Sequence, residues 1–182
     1  MAGVRREGLL PTLAGALLGV GLCGGCASDP ALAGGRFVDP EHGFAFAALE
    51  PGEPPWHPAR VDQTLVAYTR PGGARASAQS ECGRTPPRPQ VQARSLLIGV
   101  GPRVLRQSGP VAVGSTEGWS QVLDVEEGAR VLRLKTVTLV TEACTVDFLL
   151  IAGDDFEDAE RGFDAWWQSF EAVAAAPAGE GS

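Results

Sequence analysis

The sequence predicts a single α+β domain, and three observations support this. Short segments rich in strand-forming residues recur between residues 36 and 151, separated by turn clusters of Pro and Gly. A short amphipathic helix is predicted among them, and a longer one with a broad apolar stripe follows the last strand. Removal of a leader at residues 1–25 would leave 157 of the 182 residues, enough for one domain with a hydrophobic core.

The N-terminal half of the domain is predicted to consist of short strands. The first two flank a turn cluster at residues 39–43, and the next two form a hairpin around Pro71-Gly72-Gly73 that ends at Cys82. Residues 51–58 contain four prolines, so we expect a rigid loop there. The four predicted strands cover residues 36–38, 44–46, 64–69 and 74–81.

The C-terminal half begins with a proline-rich loop at residues 85–89, which cannot join a sheet. Apolar residues at helical spacing predict a helix over residues 91–100. Residues 104–113 give a further strand signal, which is irregular and broken at Gly109-Pro110. Residues 148–151 are apolar on both faces, which is typical of a central strand covered on both sides. The clearer strands cover residues 119–126, 130–140 and 145–151.

The last predicted element is an amphipathic helix. Asp154 is the expected N-cap, and Glu157 three residues later would complete a capping box. Trp166 and Trp167 are adjacent on this helix, so we expect one in the core and one at its edge. A small-residue tail at residues 174–182 is expected to be disordered. The apolar stripe consists of Phe156, Ala159, Phe163, Trp166, Trp167 and Phe170.

Residues 1–25 have the layout of a secretory signal. Two arginines precede an apolar run at residues 9–22, which is shorter than the roughly 20 residues that span a bilayer. The site that follows resembles the lipobox of bacterial lipoproteins, in which small residues precede an obligatory cysteine. Here that cysteine is Cys26, preceded by two glycines, with Cys23 at the position where Leu is usual.

The lipobox resemblance implies a lipid anchor. Cys26 would carry a thioether-linked diacylglycerol and an acylated N-terminus with palmitate-type chains, and each buried methylene adds roughly 0.8 kcal/mol to membrane binding. Residues 26–35 form a predicted flexible tether about 30 Å long at full extension. Ala27 and Ser28 follow the cysteine without an Asp, and by resemblance to enterobacterial lipoproteins this favours the outer membrane over the inner.

Two other interpretations of this region stay open. The sequence Ala31-Leu32-Ala33 fits the A-x-A cleavage pattern, and cleavage there would release a soluble secreted protein. Cys23-Gly24-Gly25-Cys26 also has C-x-x-C spacing, but a redox motif of that type needs a strand before it and a helix after it. It follows an apolar signal segment instead, which disfavours the redox interpretation.

The mature chain is acidic. Loss of Arg5, Arg6 and Glu7 from 15 basic and 22 acidic residues leaves 13 and 21, a formal charge of −8. Nucleic-acid binding requires clustered Lys and Arg, so we expect no nucleic-acid partner. Anionic headgroups would repel such a domain, so its membrane attachment is expected to depend on the lipid at Cys26.

Two segments of the domain are similar to proteins related to PsbP, the extrinsic lumenal protein of photosystem II. The first is Arg36-Phe37-Val38 followed by Gly43-Phe44-Ala45-Phe46. The second is Cys144-Thr145-Val146-Asp147-Phe148 before an aromatic-rich terminal helix. The resemblance covers about residues 36–173 and implies an α/β/α sandwich around an antiparallel sheet. It also implies a non-catalytic accessory, binding or assembly role, although fold analogy alone does not establish a function.

Cys82 and Cys144 are the remaining cysteines, at the end of one predicted strand and the start of another. In an oxidising compartment we expect them to form a disulfide, which could stabilise the fold by roughly 4 kcal/mol in the chain-entropy model. The alternative is two buried free thiols. A catalytic cysteine is disfavoured because neither residue has a histidine beside it in the sequence.

No catalytic or cofactor site is predicted. His42 and His57 are the only histidines, and a metal site could combine them with Asp39 and Glu41, but their spacing is not that of metal ligands. The sequence contains no G-x-S-x-G motif and no glycine-rich phosphate loop. We therefore expect no enzyme, no resident metal and no cofactor.

The leading functional hypothesis is a lipid-anchored periplasmic protein with a binding or structural-accessory role and a possible protein partner in the envelope. The alternative is a small-ligand or metal-ion carrier with a pocket between sheet and helix. An accessory protein should have an exposed apolar patch, and a carrier a deep pocket. Trp56 is either an exposed aromatic that binds a partner or, as we expect, a lid over the core.

Overall fold

The structure, a computed structural model, describes residues 35–50 and 52–173. Two antiparallel sheets and two helices make up this part of the chain. The larger sheet has seven strands in the order β3-β4-β5-β9-β8-β7-β6. Its strands are β3 (His57–Ala59), β4 (Val66–Thr69), β5 (Arg75–Cys82), β6 (Arg103–Val113), β7 (Thr116–Glu127), β8 (Arg130–Val140) and β9 (Cys144–Ala152). The smaller sheet is β1 (Arg36–Asp39), β2 (Phe44–Ala47) and β10 (Glu171–Ala172), with β2 in the centre.

A helix packs on each face of the large sheet. Helix α2 (Phe156–Gln168) covers one face, and the short helix α1 (Pro89–Ser95) packs against β7, β8 and β9 on the other. We call these the α2 face and the α1 face. The arrangement is the expected α+β class with an α/β/α sandwich around an antiparallel sheet. Short hairpin connections explain the antiparallel order of β6 to β9.

Aromatic side chains fill the space between the α2 face and the small sheet. Phe46 lies between Phe148 of β9 and Trp166 of α2, with ring centroids 5.2 and 5.9 Å away. The Trp166 indole donates a hydrogen bond of 2.9 Å to the Ala47 carbonyl, which joins α2 to β2. These contacts attach the small sheet to the large sheet and to α2. The fully buried aromatic residues are Phe37, Phe44, Phe46, Phe148 and Phe163.

Strand β9 is the central strand, as the sequence predicted, since it is fourth of the seven. The expectation that it is covered on both sides holds only in part. Leu150 is fully buried on the α2 face, whereas Ile151 on the α1 face is 39% exposed. Helix α1 is too short to cover the whole sheet, and this part of the α1 face is left open.

Two segments differ from the prediction: a strand expected to break at Gly109-Pro110, and a loop expected at residues 51–58. Residues 103–113 form the continuous strand β6, and the register shift lies between Leu105 and Gln107, before Gly109-Pro110. His57 and Pro58 belong to β3 rather than to the predicted loop. Both strands are edge strands, and an edge strand tolerates proline because one side of its backbone needs no partner.

The helix boundaries also differ from the predictions. Helix α1 begins at Pro89 and ends at Ser95. The helix predicted at residues 91–100 therefore starts two residues too late and ends five residues too late. Asp155, and not Asp154, is the N-cap of α2, and no side chain there bonds a backbone amide. Glu157 makes no capping box and accepts a hydrogen bond from Arg133 on β8 instead. The ion pair thus replaces the predicted cap.

Charged residues border the aromatic core where α2 meets β8. Arg106 and Arg133 both donate to the Asp124 carboxylate, at 2.7 and 2.9 Å, and these hydrogen bonds lower the pKa of Asp124. Lys135 bonds both Glu160 and Asp164 on α2. The Lys135 pairs thus join α2 to β8.

The described helices and strands run from Arg36 in β1 to Ala172 in β10, and the division of the chain into domains stays a prediction. The leader at residues 1–25, the tail at residues 174–182 and the tether up to residue 34 lie outside the described residues. Lipidation at Cys26 therefore stays a prediction. In the part of the chain that is described, no helix is long and apolar enough to cross a membrane.

Candidate binding surface

A row of aliphatic side chains crosses the α1 face. Leu105, Leu123, Leu134 and Ile151 lie directly opposite one another on β6, β7, β8 and β9, and Arg75 of β5 is next in the row. Residues paired in an antiparallel sheet point to the same face, so their side chains form one continuous strip. We call it the aliphatic row.

The turn after α1 covers only the middle of the aliphatic row. Leu97 packs on Leu123 and Leu134, and all three are buried. The two ends are open, with Leu105 55% and Ile151 39% exposed. Ile98, next to Leu97, is 83% exposed and extends the apolar surface outward. These exposed apolar side chains make the row a candidate surface for partner binding.

A recess of about 880 Å³ lies at the Ile151 end of the row. Arg75 and Arg130 contribute the positive charges, and Glu127, Asp154 and Asp155 contribute the negative ones. Both arginines are exposed, and neither forms a salt bridge with any described residue. The recess is open, so it can accept part of a larger partner but does not enclose a small ligand.

Helix α1 is fastened to its face by buried polar contacts. The Gln121 side chain donates a 2.8 Å hydrogen bond to the Ala93 carbonyl. Asp147 of β9 is 1% exposed, and its carboxylate accepts a 2.6 Å bond from Thr138 and a 3.3 Å bond from Gln92 of α1. Burial is the largest influence on this group and raises the pKa of Asp147, while the two hydrogen bonds oppose the rise.

The structure separates the two histidines. His42 lies in the turn between β1 and β2, and its Nδ1 is 3.0 Å from an Asp39 carboxylate oxygen. His57 pairs with Thr69 on β4, at the end of β5 opposite Cys82. The two ends of that eight-residue strand are about 23 Å apart. The two histidines are therefore too far apart to bind the same metal ion.

Cys82 and Cys144 form the expected disulfide, which joins β5 to β9. The two residues are the last register pair between these strands. His42 lies beside them: one of its ring nitrogens and the two sulfur atoms are all within 4.8 Å of one another. No sequence pattern indicates this neighbour, because His42 is 40 positions from Cys82 and lies in the turn between two strands of the small sheet.

Three of the four tryptophans are core residues, and the fourth, Trp119, is partly buried. Trp56 is 6% exposed and belongs to the main hydrophobic cluster, as the lid interpretation expected. The Arg70 guanidinium stacks over its ring, 5.4 Å from the centroid. Trp166 and Trp167 are both buried, so the expected division between core and edge is wrong. The Trp167 indole reaches the buried position because it donates a 2.8 Å bond to Asp164.

Sequence reasoning missed the aliphatic row. Its four members are spread from residue 105 to residue 151, and each looks like an ordinary core leucine or isoleucine. Only the registers of three consecutive strand pairs place them in one line. The isolated exposed residue Ile98 carried no signal either, because the predicted helix included it.

No protein-family model matches the sequence, and no curated protein does. Solved structures with a similar fold do exist. The cyanobacterial PsbP (CyanoP) of Synechocystis sp. PCC 6803 is similar with a TM-score of 0.57 at 14% identity, over 85% of this chain and 99% of that chain. LpqN, which is involved in cell envelope biogenesis of Mycobacterium tuberculosis, has a TM-score of 0.51 at 13% identity, and the match covers 65% of this chain and 78% of LpqN. A protein from Bacteroides thetaiotaomicron has a TM-score of 0.51 at 12% identity, and the match covers 81% of this chain and 50% of that protein.

The fold is PsbP-like. Identities of 12–14% show the fold and nothing about activity. The comparison confirms the fold expected from the two sequence segments that resemble PsbP-related proteins. The functional surfaces must therefore be argued from this chain's own residues.

Proposed function

We propose that this protein is a lipid-anchored cell-envelope protein with a non-catalytic, accessory role, and that it docks a partner protein through the α1 face. The observation that carries the proposal is the aliphatic row, whose two ends are left open on either side of the turn after α1. Leu105, Ile98 and Ile151 offer apolar area that no described element covers. Such area is costly to leave in water unless a partner covers it part of the time.

The charges around the aliphatic row favour a partner segment that carries both aliphatic and acidic side chains. Arg75 continues the row beyond Ile151, Arg130 lines the recess, and Arg103 lies beside Leu105 on β6. All three are exposed, in a mature chain whose formal charge is −8. Locally placed arginines in an acidic protein attract acidic groups and fix the orientation of a partner.

The cell-envelope location rests on the lipobox resemblance at Cys26 and on the relatives of the fold. LpqN, one of the proteins with a similar fold, is involved in cell envelope biogenesis of Mycobacterium tuberculosis. An accessory role in the envelope for this chain is consistent with both. The anchor would hold the domain within reach of a membrane-bound or periplasmic partner.

The carrier alternative required a pocket between sheet and helix. In residues 35–50 and 52–173 that space is filled by buried aromatic side chains, among them Phe46, Phe148 and Trp166. Protein docking on the α1 face therefore accounts for the surface better than small-ligand transport does.

The docking proposal predicts that partner capture depends on the α1 face. The tagged full-length protein would be expressed in its own host, crosslinked, solubilised in mild detergent and purified from membranes. We expect a defined partner to be recovered with the wild type and lost with I98E and L105E, since each places a charge in the apolar contact. V38E is the matched control, because Val38 is 44% exposed on β1 of the small sheet.

Recovery of the same partner with I98E and L105E would overturn docking through the α1 face. Recovery of the wild type alone, under crosslinking, would overturn the accessory role. Circular dichroism of each variant shows whether the fold is intact, so that loss of a partner is not confused with loss of the domain.

The anchor is tested separately. Cys26→Ser removes the sulfur that would carry the diacylglycerol, so we expect the variant to leave the membrane fraction or to remain unprocessed. Cell fractionation and mobility on a denaturing gel measure both outcomes. A variant that fractionates and migrates like the wild type would favour cleavage after Ala33.

A further inference from the structure

His42, Cys82 and Cys144 bring three metal-ligating atoms together at one end of the large sheet. One His42 ring nitrogen and the two sulfur atoms lie within 4.8 Å of one another. Cys144 is fully buried, while His42 and Cys82 are partly exposed and give access from solvent. The sulfurs are joined as a disulfide in this structure. A disulfide is a poor metal ligand, so any metal chemistry here depends on its reduction.

The imidazole is held in place for such a role. The Asp39 carboxylate accepts a bond from the His42 backbone amide at 3.0 Å, and its other oxygen is 3.0 Å from Nδ1 of the ring. A carboxylate on one ring nitrogen fixes the tautomer and leaves Nε2 as the free donor. The same carboxylate–histidine pairing orients histidines in established zinc sites.

The disulfide is only one of several contacts that pair β5 with β9. β5 and β9 are in register at eight consecutive positions, and Cys82 and Cys144 are only the last of them. The neighbouring pair Glu81 and Thr145 and the six pairs beyond it remain when the bond opens. Reduction would therefore leave two thiols facing each other beside His42.

We propose that these three residues form a redox-gated site for a thiophilic d¹⁰ cation, with Zn²⁺ as the fitting ion. A dithiol protein of the envelope supplies two electrons and two protons by thiol–disulfide exchange, so its dithiol becomes a disulfide while Cys82 and Cys144 become thiols. The cation then replaces the two thiol protons, which go to solvent, and neutral His42 donates through Nε2. Two thiolates balance the charge of Zn²⁺, and the exposed side of the site leaves a fourth position for water.

The donor set determines the choice of ion. Two thiolates and one imidazole suit a soft or borderline cation and reject Mg²⁺ and Ca²⁺, which prefer oxygen ligands. This site is independent of the α1 face, so either proposal can fail without the other. Its role would be to make the end of the sheet next to β1 and β2 respond to the redox state of the compartment.

The test uses the full chain with Cys23→Ser and Cys26→Ser, so that Cys82 and Cys144 are the only thiols. The protein in detergent is reduced with a phosphine under argon and titrated with Co²⁺, a spectroscopic substitute for Zn²⁺. We expect one equivalent to bind with thiolate-to-cobalt absorption and tetrahedral visible bands, and Zn²⁺ to displace it. The oxidised chain should show neither signal.

Two variants sharpen the assignment. H42A removes a ligand, and D39N removes the carboxylate that orients it; each should weaken Zn²⁺ binding by about tenfold or more. H57A is the matched control and should bind like the parent chain, because His57 is at the far end of β5.

Several results would overturn the proposal. Stoichiometric binding to the oxidised chain, or unchanged affinity in H42A, would show adventitious binding. Absence of one-equivalent binding to the reduced chain would show that the three residues do not form a metal site. If circular dichroism shows that reduction unfolds the chain and Zn²⁺ does not restore the fold, the site does not exist.

Discussion

The two faces of the large sheet are covered in different ways. On the α2 face, Trp166 and its neighbours form an interlocked aromatic layer, and the Phe148 and Trp166 rings meet edge to face at 5.1 Å. On the α1 face, the contacts are a small aliphatic cluster and two buried polar contacts, made by Gln121 and Asp147. One face contributes most of the hydrophobic burial, whereas the other holds a short helix in a defined position and leaves apolar area open.

This difference suggests a division of labour within one domain. Aromatic packing contributes stability through buried area, whereas buried hydrogen bonds contribute little net stability and mainly specify geometry. A face that relies on the second kind of contact can keep an exposed strip without losing the fold. The account therefore predicts that substitutions on the two faces separate stability from binding.

The largest expected effect follows from truncation of the aromatic layer. Trp166→Ala removes a side chain that is 2% exposed and contacts Phe46, Tyr68 and Phe148. We expect the free energy of unfolding to fall by about 3–5 kcal/mol. Ile98→Ala on the α1 face, where the side chain is 83% exposed, should change it by less than about 0.5 kcal/mol.

Urea unfolding followed by tryptophan fluorescence and by circular dichroism measures both variants. Equal losses in Trp166→Ala and Ile98→Ala would contradict the comparison, because they would show that the α1 face carries as much stability as the aromatic layer. A loss of unfolding free energy in Ile98→Ala alone would show that stability depends on the α1 face and not on the aromatic layer.

A smaller effect is expected from Asp147, the buried carboxylate under α1. Burial raises its pKa in the folded state, so the folded protein holds this proton to a higher pH than the unfolded chain does. The Asp147 carboxyl has a pKa of about 4 in the unfolded chain and a higher pKa in the folded protein. The free energy of unfolding therefore falls as the pH rises from about 4 through the folded pKa. Asp147→Asn removes this loss and keeps partners for Thr138 and Gln92, since the Gln92 amide can turn over.

Urea unfolding of the wild type and Asp147→Asn at pH values from 4 to 8 checks this prediction. The variant should gain stability relative to the wild type as the pH rises, and the two should converge near pH 4. Asp124, whose pKa is lowered by Arg133 and Arg106, has the opposite dependence and is common to both proteins. If instead the wild type becomes more stable relative to Asp147→Asn as the pH rises, the hydrogen-bond partners of the Asp147 carboxylate outweigh the effect of its burial.

Much of the fold could be predicted from local pattern. The β8–β9 hairpin and the terminal helix have strong periodicity, and the Cys82–Cys144 pairing followed from cysteine count and compartment. The errors fall where tertiary context overrides local signals. An edge position makes Pro58 and Pro110 acceptable in strands, and Arg133 takes the Glu157 side chain away from the helix cap.

The candidate surfaces were less predictable than the fold. The aliphatic row depends on strand registers, and the place of His42 beside the disulfide depends on how the small sheet docks on the large one. Neither leaves a spacing pattern in the chain. Their residues are separated in sequence, so a motif cannot reveal them.

The most direct test of the central claim is site-specific photo-crosslinking in the cells of origin. A photoreactive phenylalanine analogue would be placed at Ile98 on the α1 face and, as the matched control, at Arg161, an exposed residue of α2. The account predicts a discrete crosslinked partner from position 98 and none from position 161. A partner crosslinked from position 161 but not from position 98 would contradict it.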